Sequence, residues 1–379
     1  VITLANQLGK EKLQSIGGIT YLTQIISSYV SSDGVKDAAR IIKEKSDRRK
    51  IIKSCTEALK SAYDDKASSK KIVDSIEDKL MQVGINTENK ILDDSTLMGK
   101  TLDMIQKNYE AGGAINGIST GIKSIDRATN GLIKGDFIVI AGRPSMGKTC
   151  MALNIIDNVP EENQVALFEM EMTEEKLGAR RLAARAFVNA TNLPRGKMDT
   201  EDWERVVRGA SYIAQKNNVY TDTTAGQTIQ EIKAKCKKLK IKNGLDVVVI
   251  DHLGLITPTN LKENRVNQIS EITRSIKIMA KELDAAVVVL SQLSRAPEQR
   301  TDHRPMLSDL RDSGTIEQDA DLIMFLYRDE YYNKDSSQKG VLECIIDKQR
   351  DGKTGTINLA YLPQYQKISD ICKGESKSI

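Results

Sequence analysis

"FIVIAGRPSMGKTCMALNIIDNV", residues 137–159, runs from a short apolar stretch through a glycine-framed turn into an amphipathic one. The β-branched "FIVIA" reads as a buried strand and "CMALNIIDNV" as the helix after it. Between them Gly142, Arg143, Pro144, Ser145, Met146, Gly147, Lys148 and Thr149 satisfy G-x-x-x-x-G-K-[ST]. Each residue type has a physical task. Glycine lets the backbone fold so that successive N–H groups converge on phosphates, and the N-terminus of the following helix, Cys150 included, adds positive potential. Lys148 reaches the β- and γ-phosphates, and Thr149 holds Mg²⁺. A strand before the turn and a helix after it are the context this pattern requires.

Further along, short β-branched runs recur at "QVALFEM" (164–170), "DVVVID" (246–251), "AAVVVLSQ" (285–292), "DLIMFLY" (321–327), "VLECIID" (341–347) and "TINLAY" (356–361). Helical stretches separate most of the early ones. Continuous apolar strands linked by helices predict an α/β fold with a mainly parallel sheet covered on both faces. The later strands have shorter connections and are expected as antiparallel additions at one edge.

Residues 1 to about 85 read as helical throughout. Val35, Ala38, Ile42, Ile52, Cys55, Leu59 and Ala62 recur mostly at helical spacing, and Ile72, Val73, Ile76, Leu80 and Val83 repeat the pattern, which predicts a helical hairpin. The basic run "IIKEKSDRRKIIK" inside it reads as a solvated helix face, the ordinary fate of such runs. After a polar stretch, Leu97, Met98, Leu102, Ile105 and Tyr109 stripe one further helix that ends at Gly112 and Gly113. One helix cannot bury its own stripe, so it must dock on its own core or on a neighbouring subunit. The expected domains are 1–88, 89–116 as a linker with a docking helix, and 117–379.

The chain has 379 residues, 40% hydrophobic and 28% charged, which suits a soluble protein of more than one domain. No apolar run is long enough to span a bilayer, and the N-terminus lacks a signal-peptide pattern, so a cytoplasmic protein is expected. It begins with Val in the middle of a helical pattern, as a fragment would. Five scattered cysteines, never in C-x-x-C pairs, suggest neither a disulfide framework nor a zinc site and are expected to be reduced and buried. A formal charge of +4 permits a polyanionic partner without demanding one.

With a phosphate loop present, "VVVID" ending in Asp251 places an acidic Mg²⁺ ligand at the carboxyl end of a buried strand. For a base, "FEMEM" offers Glu169 and Glu171. If the strand ends near Met170, Glu171 sits at its mouth, where a carboxylate can orient an attacking water, and Glu169 points into a face of the sheet or towards solvent. Gln292, ending "VVVLSQ", is an amide able to hydrogen-bond a γ-phosphate, or else a surface amide.

The motifs resemble, in order, those of the DnaB-type replicative DNA helicases, RecA-like hexameric ring ATPases. "AGRPSMGKT", "ALFEMEM", "VVVIDHLGLI", "VVVLSQLSR", "SDLRDSGTIEQDADLIMFLYRDE" and "DKQRDGKTG" carry the resemblance. "GISTGIKSIDRATNGLIKGD" resembles the family's lead-in to the ATPase domain, and "LQSIGGITYLTQI" with the helices after it resembles part of its N-terminal collar. The resemblance implies ATP with Mg²⁺, Glu171 as the catalytic glutamate, Asp251 as the metal-associated aspartate and Gln292 as a phosphate sensor. It implies that Lys348 and Arg350 cross a subunit interface to the neighbour's γ-phosphate, as an arginine finger does. It also implies a homo-hexamer, 5′ to 3′ movement on single-stranded DNA, fork unwinding, and a collar that meets primase or a loader.

Arg311, Asp312, Ser313 and Gly314 form the expected DNA loop, with Arg311 bonding phosphate. At 4% aromatics, base stacking is not expected to dominate, which suits tracking without sequence preference. The family commonly carries Glu at position 312, and Tyr and Gln where this chain has His252 and Gly254. His252 beside Asp251 reads as structural, and His303 lies in a polar loop without a nameable partner. Two other readings compete: a RecA-like strand-exchange or clock-type ATPase, and a non-hydrolysing binding module.

Overall fold

The structure is a computed structural model that describes residues 14, 18–21, 33–63, 72, 75, 76, 79, 93–110, 112, 115–310 and 313–371. The chain divides into two compact units, Val1–Glu88 and Asn89–Ile379. In the first, one helix, α1 (Asp33–Ala62), is described at length. Its basic run is solvated as expected, with Arg48 and Lys50 paired to Glu44 and Asp47 on the same helix at 2.5 and 3.5 Å. The apolar residues Ile42, Ile52 and Leu59 lie exposed along it. Most of the second helical stripe, and most of "LQSIGGITYLTQI", lies outside the described residues.

The second unit begins with α2 (Asp94–Glu110) and α3 (Lys123–Thr129). On α2 the predicted stripe is open, Leu97, Met98, Leu102, Ile105 and Tyr109 all being exposed. The sheet then starts with β1 (Phe137–Gly142), whose six residues are all buried, and α4 (Lys148–Asn158) follows. Next come β2 (Val165–Glu169), α5 (Glu174–Ala186), α6 (Thr200–Lys216), β3 (Val219–Asp222), α7 (Ile229–Asn243), β4 (Val247–Asp251) and α8 (Arg265–Leu283). They are followed by β5 (Ala286–Gln292), α9 (Ser313–Asp319), β6 (Leu322–Tyr327), β7 (Val341–Gln349), β8 (Gly355–Leu362) and β9 (Lys367–Asp370).

One nine-stranded sheet has the order β3-β2-β4-β5-β1-β6-β7-β8-β9. The first six in that order pair in parallel, and β7, β8 and β9 add on antiparallel at one edge, as the shorter connections implied. Side chains alternate between the two faces. Ile138, Ile140, Leu167, Val249 and Leu290 pack with α4 in one core, and Val139, Phe168, Ile250 and Val289 pack with α8 in the other. Burial on both faces is why these strands read as unbroken apolar runs. Each such side chain contributes roughly 1.5–3 kcal/mol.

Parallel pairing has a direct consequence for function. It sets the carboxyl ends of β1, β2, β4 and β5 on one rim, where Gly142 faces Gln292 and Glu169 faces Asp251 in the strand register. Open α/β sheets bind ligands at such a rim.

Two expectations about cysteine and histidine need correction. Cys150, Cys236 and Cys344 are buried, but Cys55 is exposed on α1, where a smaller helical unit covers less of its surface. His303 does have partners: its ring stacks on Tyr332 at 4.4 Å and its Nδ1 lies 3.1 Å from the Pro297 carbonyl.

Candidate functional site

The turn after β1 is shaped by backbone that only certain residues adopt easily. Gly147 caps α4 at φ +92°, in the left-handed region that glycine enters without strain, and Ser145 lies at φ +67°. The loop opens onto a cavity of about 520 Å³ on the carboxyl rim. Pro144, Ser145, Gly147, Lys148, Thr149, Cys150, Glu171, Asp251 and Gln292 line it, so these predicted residues are brought together. The other three loop residues, Gly142, Arg143 and Met146, do not line it. Met146 is buried in the core beside α4, Gly142 ends the strand, and Arg143 bonds Glu298 at 2.5 Å and the Leu293 carbonyl at 2.9 Å.

Inside the cavity the side chains of Lys148 and Thr149 have partners within the chain. The Thr149 hydroxyl donates to Asp251 Oδ2 at 2.6 Å, and Lys148 Nζ donates to the carbonyls of Gly142 and Arg143 at 2.8 and 3.1 Å. Burial pulls Lys148 down to about 8, against the Asp251 and Glu171 carboxylates that favour its charge. Burial likewise raises Asp251, with the Thr149 hydroxyl opposing. A hydroxyl and a carboxylate at this separation are the hard oxygen pair that Mg²⁺ takes, so the residues present fit the ion.

β2 stops at Glu169, one residue short of the expected end, and the two glutamates part ways. Glu171 faces the cavity. Glu169 does not face solvent; it is 1% exposed and its Oε1 accepts from the N–H groups of Glu171 and Met172 at 2.8 and 3.0 Å. Burial, and then the adjoining Asp251 carboxylate, push Glu169 up to about 7.

The cavity has further walls that the sequence reading missed: Arg180, Arg328, Tyr361 and Gln366. Arg328 donates to the Ser145 carbonyl at 3.1 Å, and its guanidinium carbon lies 4.5 Å from the centre of the Tyr361 ring. This cation and ring form a platform beside the phosphate loop. His252 also lines the cavity, and its Nδ1 accepts from the Gly254 N–H at 3.1 Å, which makes it a turn-fixing residue.

Lys348 and Arg350 are not brought to the cavity. Lys348 pairs with Ile323 near the amino end of β6, whereas Gly142 lies against Leu326 three residues further along, roughly 10 Å away. There Lys348 Nζ donates to the carbonyls of Glu317 and Ala320, and Arg350 donates to that of Gln318 at 2.8 Å. Arg350 also meets Asp321 at 3.1 Å. Both cations thus satisfy carbonyls at the C-terminal end of α9, which its own helix leaves unpaired. Arg311 and Asp312 lie outside the described residues; Ser313 opens α9, and Gly314 is exposed on it.

The comparisons with known proteins agree with this geometry. Residues 117–370 match the model of the DnaB-like helicase C terminal domain, and residues 1–44 match that of the DnaB-like helicase N terminal domain. The chain is 40% identical to the replicative DNA helicase DnaB of Geobacillus stearothermophilus, over 98% of this chain and 82% of that protein. It is 39% identical to the replicative DNA helicase DnaC of Bacillus subtilis, over 98% and 83%. A solved DnaB-like replicative helicase, described with its interactions with primase, superposes with a TM-score of 0.74 at 35% identity, covering 98% of this chain and 87% of that one. A second solved structure, an isolated ATPase domain, gives 0.70 at 40% identity, covering 74% and 100%. Identity at this level over nearly the whole length favours a replicative helicase over a strand-exchange or clock-type ATPase. The chain belongs to the DnaB-like replicative DNA helicases.

Proposed function

We propose that this replicative helicase hydrolyses ATP in the cavity after β1 and drives a ring of six copies along single-stranded DNA. One observation carries the reading. Lys148, Thr149, Glu171, Asp251 and Gln292 share a cavity, while Lys348 and Arg350 sit at the amino end of β6. A site so built leaves Lys348 and Arg350 outside it, and a neighbouring copy can supply them.

Lys148 holds the β- and γ-phosphates, and the backbone N–H groups of the loop from Ser145 to Cys150 surround them. Bound Mg²⁺ at Thr149 and Asp251 would neutralise phosphate charge. Glu171 orients the water and accepts its proton, and Gln292 senses the γ-phosphate. The partner's surface brings Lys348 and Arg350 to that phosphate, where they stabilise charge in the transition state. Arg328 and Tyr361 suit the base end of the nucleotide.

DNA is held by Arg311 to Gly314 through its phosphates, in the 5′ to 3′ sense of the family. The open stripe of α2 docks on an adjacent copy, the collar of residues 1–88 meets primase or a loader, and the work is cytoplasmic. Among the described residues no helix is long and apolar enough to cross a membrane.

The test is steady-state ATP hydrolysis, with and without single-stranded DNA, by Arg350→Ala, by Glu171→Ala and by an equal mixture of the two. Activity that returns only in the mixture means that one subunit completes another's site. If Arg350→Ala hydrolyses at the parent rate and DNA has no effect, the interfacial motor is wrong and a binding module takes its place.

A further inference from the structure

We propose that Glu169 is a positioning residue for Glu171: by accepting two backbone N–H bonds it fixes the turn from which the Glu171 carboxylate reaches the cavity. The inference rests on the reading of Glu171 as the group that orients water.

The geometry begins where β2 loses its partner. Met170 N–H still bonds the Asp251 carbonyl at 3.0 Å, which keeps the chain beside β4 for one residue more. The next two amides, Glu171 and Met172, would then be unpaired, and Glu169 Oε1 takes both, at 2.8 and 3.0 Å. The side chain of the last strand residue thus replaces the missing neighbour strand. Among the described residues no hydrogen bond fixes the Glu171 carboxylate itself, so its place depends on the backbone beneath it.

The residue type is informative too. The preceding strand residues are apolar, and an apolar side chain at 169 would bury without electrostatic cost. A carboxylate 1% exposed and facing Asp251 in the strand register is the expensive choice. Its second oxygen, Oε2, is buried with no hydrogen-bond partner. What the carboxylate gives in exchange is the double acceptor at the base of Glu171.

Two variants of similar size separate this role from simple packing. Glu169→Gln keeps an oxygen that can accept both N–H bonds; Glu169→Met removes the acceptor and leaves the volume. Each is assayed by phosphate release with single-stranded DNA, for kcat and for KM of ATP, and by binding of a fluorescent ATP analogue. Positioning predicts that Glu169→Met loses about 10- to 100-fold in kcat, with KM and analogue binding within about twofold of the parent. Glu169→Gln stays within about threefold of the parent in kcat. Parent-like turnover by Glu169→Met overturns the inference. So does an equal loss in both variants, or a loss of analogue binding that accompanies the fall in kcat. Glu171→Gln runs in parallel. If it hydrolyses normally, the reading of Glu171 fails and the inference with it; if it is inactive while Glu169→Met is normal, the inference alone fails.

Discussion

Replacing Glu169 by Gln has a consequence for folding that is separate from catalysis and has a definite sign. In the folded chain the Glu169 carboxyl is raised from 4.5 to about 7 by burial and by Asp251. A raised carboxyl binds its proton more tightly folded than unfolded, so stability is highest below the unfolded value and falls as pH climbs towards the folded one. The interval is about 2.5 units, and at ~1.4 kcal/mol per unit the loss approaches ~3 kcal/mol once pH exceeds about 7. At 1% exposure, solvent does little to screen it. Gln carries no charge at any of these values, so Glu169→Gln gains relative to the parent as pH rises. Urea unfolding followed by the fluorescence of Trp203, the single tryptophan of the chain, measures this in the unit that holds the site. The stability difference should grow from under ~1 kcal/mol near pH 5 to ~3 kcal/mol near pH 8. A difference that stays constant over that range refutes the argument, because it means that Glu169 titrates no differently in the folded chain than in the unfolded one.

Three further outcomes follow from other contacts. Lys148 sits at about 8, so binding a phosphate anion there draws a proton onto it, and ATP affinity should fall by up to about tenfold per pH unit above that value. Calorimetry in buffers of different ionisation heat detects the proton, and Lys148→Arg, charged throughout, should show no such uptake. Thr149→Val removes the hydroxyl that meets Asp251 at 2.6 Å, and a Mg²⁺ titration of hydrolysis should show a loss of ~100-fold, the scale of one lost transition-state contact. Arg304 donates to both oxygens of the buried Glu343 at 2.8 Å. Arg304→Ala should therefore cost ~2–3 kcal/mol in urea unfolding, moderated because Arg304 is itself part exposed, and adding Glu343→Gln should recover most of it.

The strands that are buried on both faces were the legible part of this fold. β1, β2, β4, β5 and β6 have little room for polar residues, so their sequences are nearly unbroken apolar runs. β3 and β9 escaped because the short segments "VYTD" and "KISD" are at least half polar; as edge strands they meet a partner on one side only. The phosphate loop, Asp251 and Gln292 were legible for a related reason, since each ends or follows such a run. Arg180, Tyr361 and Gln366 were not, because a helix and two distant segments bring them to the cavity and nothing near them in sequence marks the convergence. Arg328 left one usable signal: it follows β6 directly, and β6 lies beside β1 with its carboxyl end on the same rim.

His252 and Gly254 stand where the resembling family commonly has Tyr and Gln, and the fold joins these two differences into one. A Cβ added at Gly254 would lie 2.9 Å from His252 Cε1, closer than two carbon atoms tolerate, and a tight 3.1 Å from its Nδ1. The imidazole therefore occupies space that any other residue at 254 would claim. A chain that acquires a side chain at 254 must also turn or exchange the ring at 252, and the ring keeps this placement only while 254 has no side chain. Across relatives the two positions should covary as a pair, and a single exchange at either is a less informative experiment than the double one.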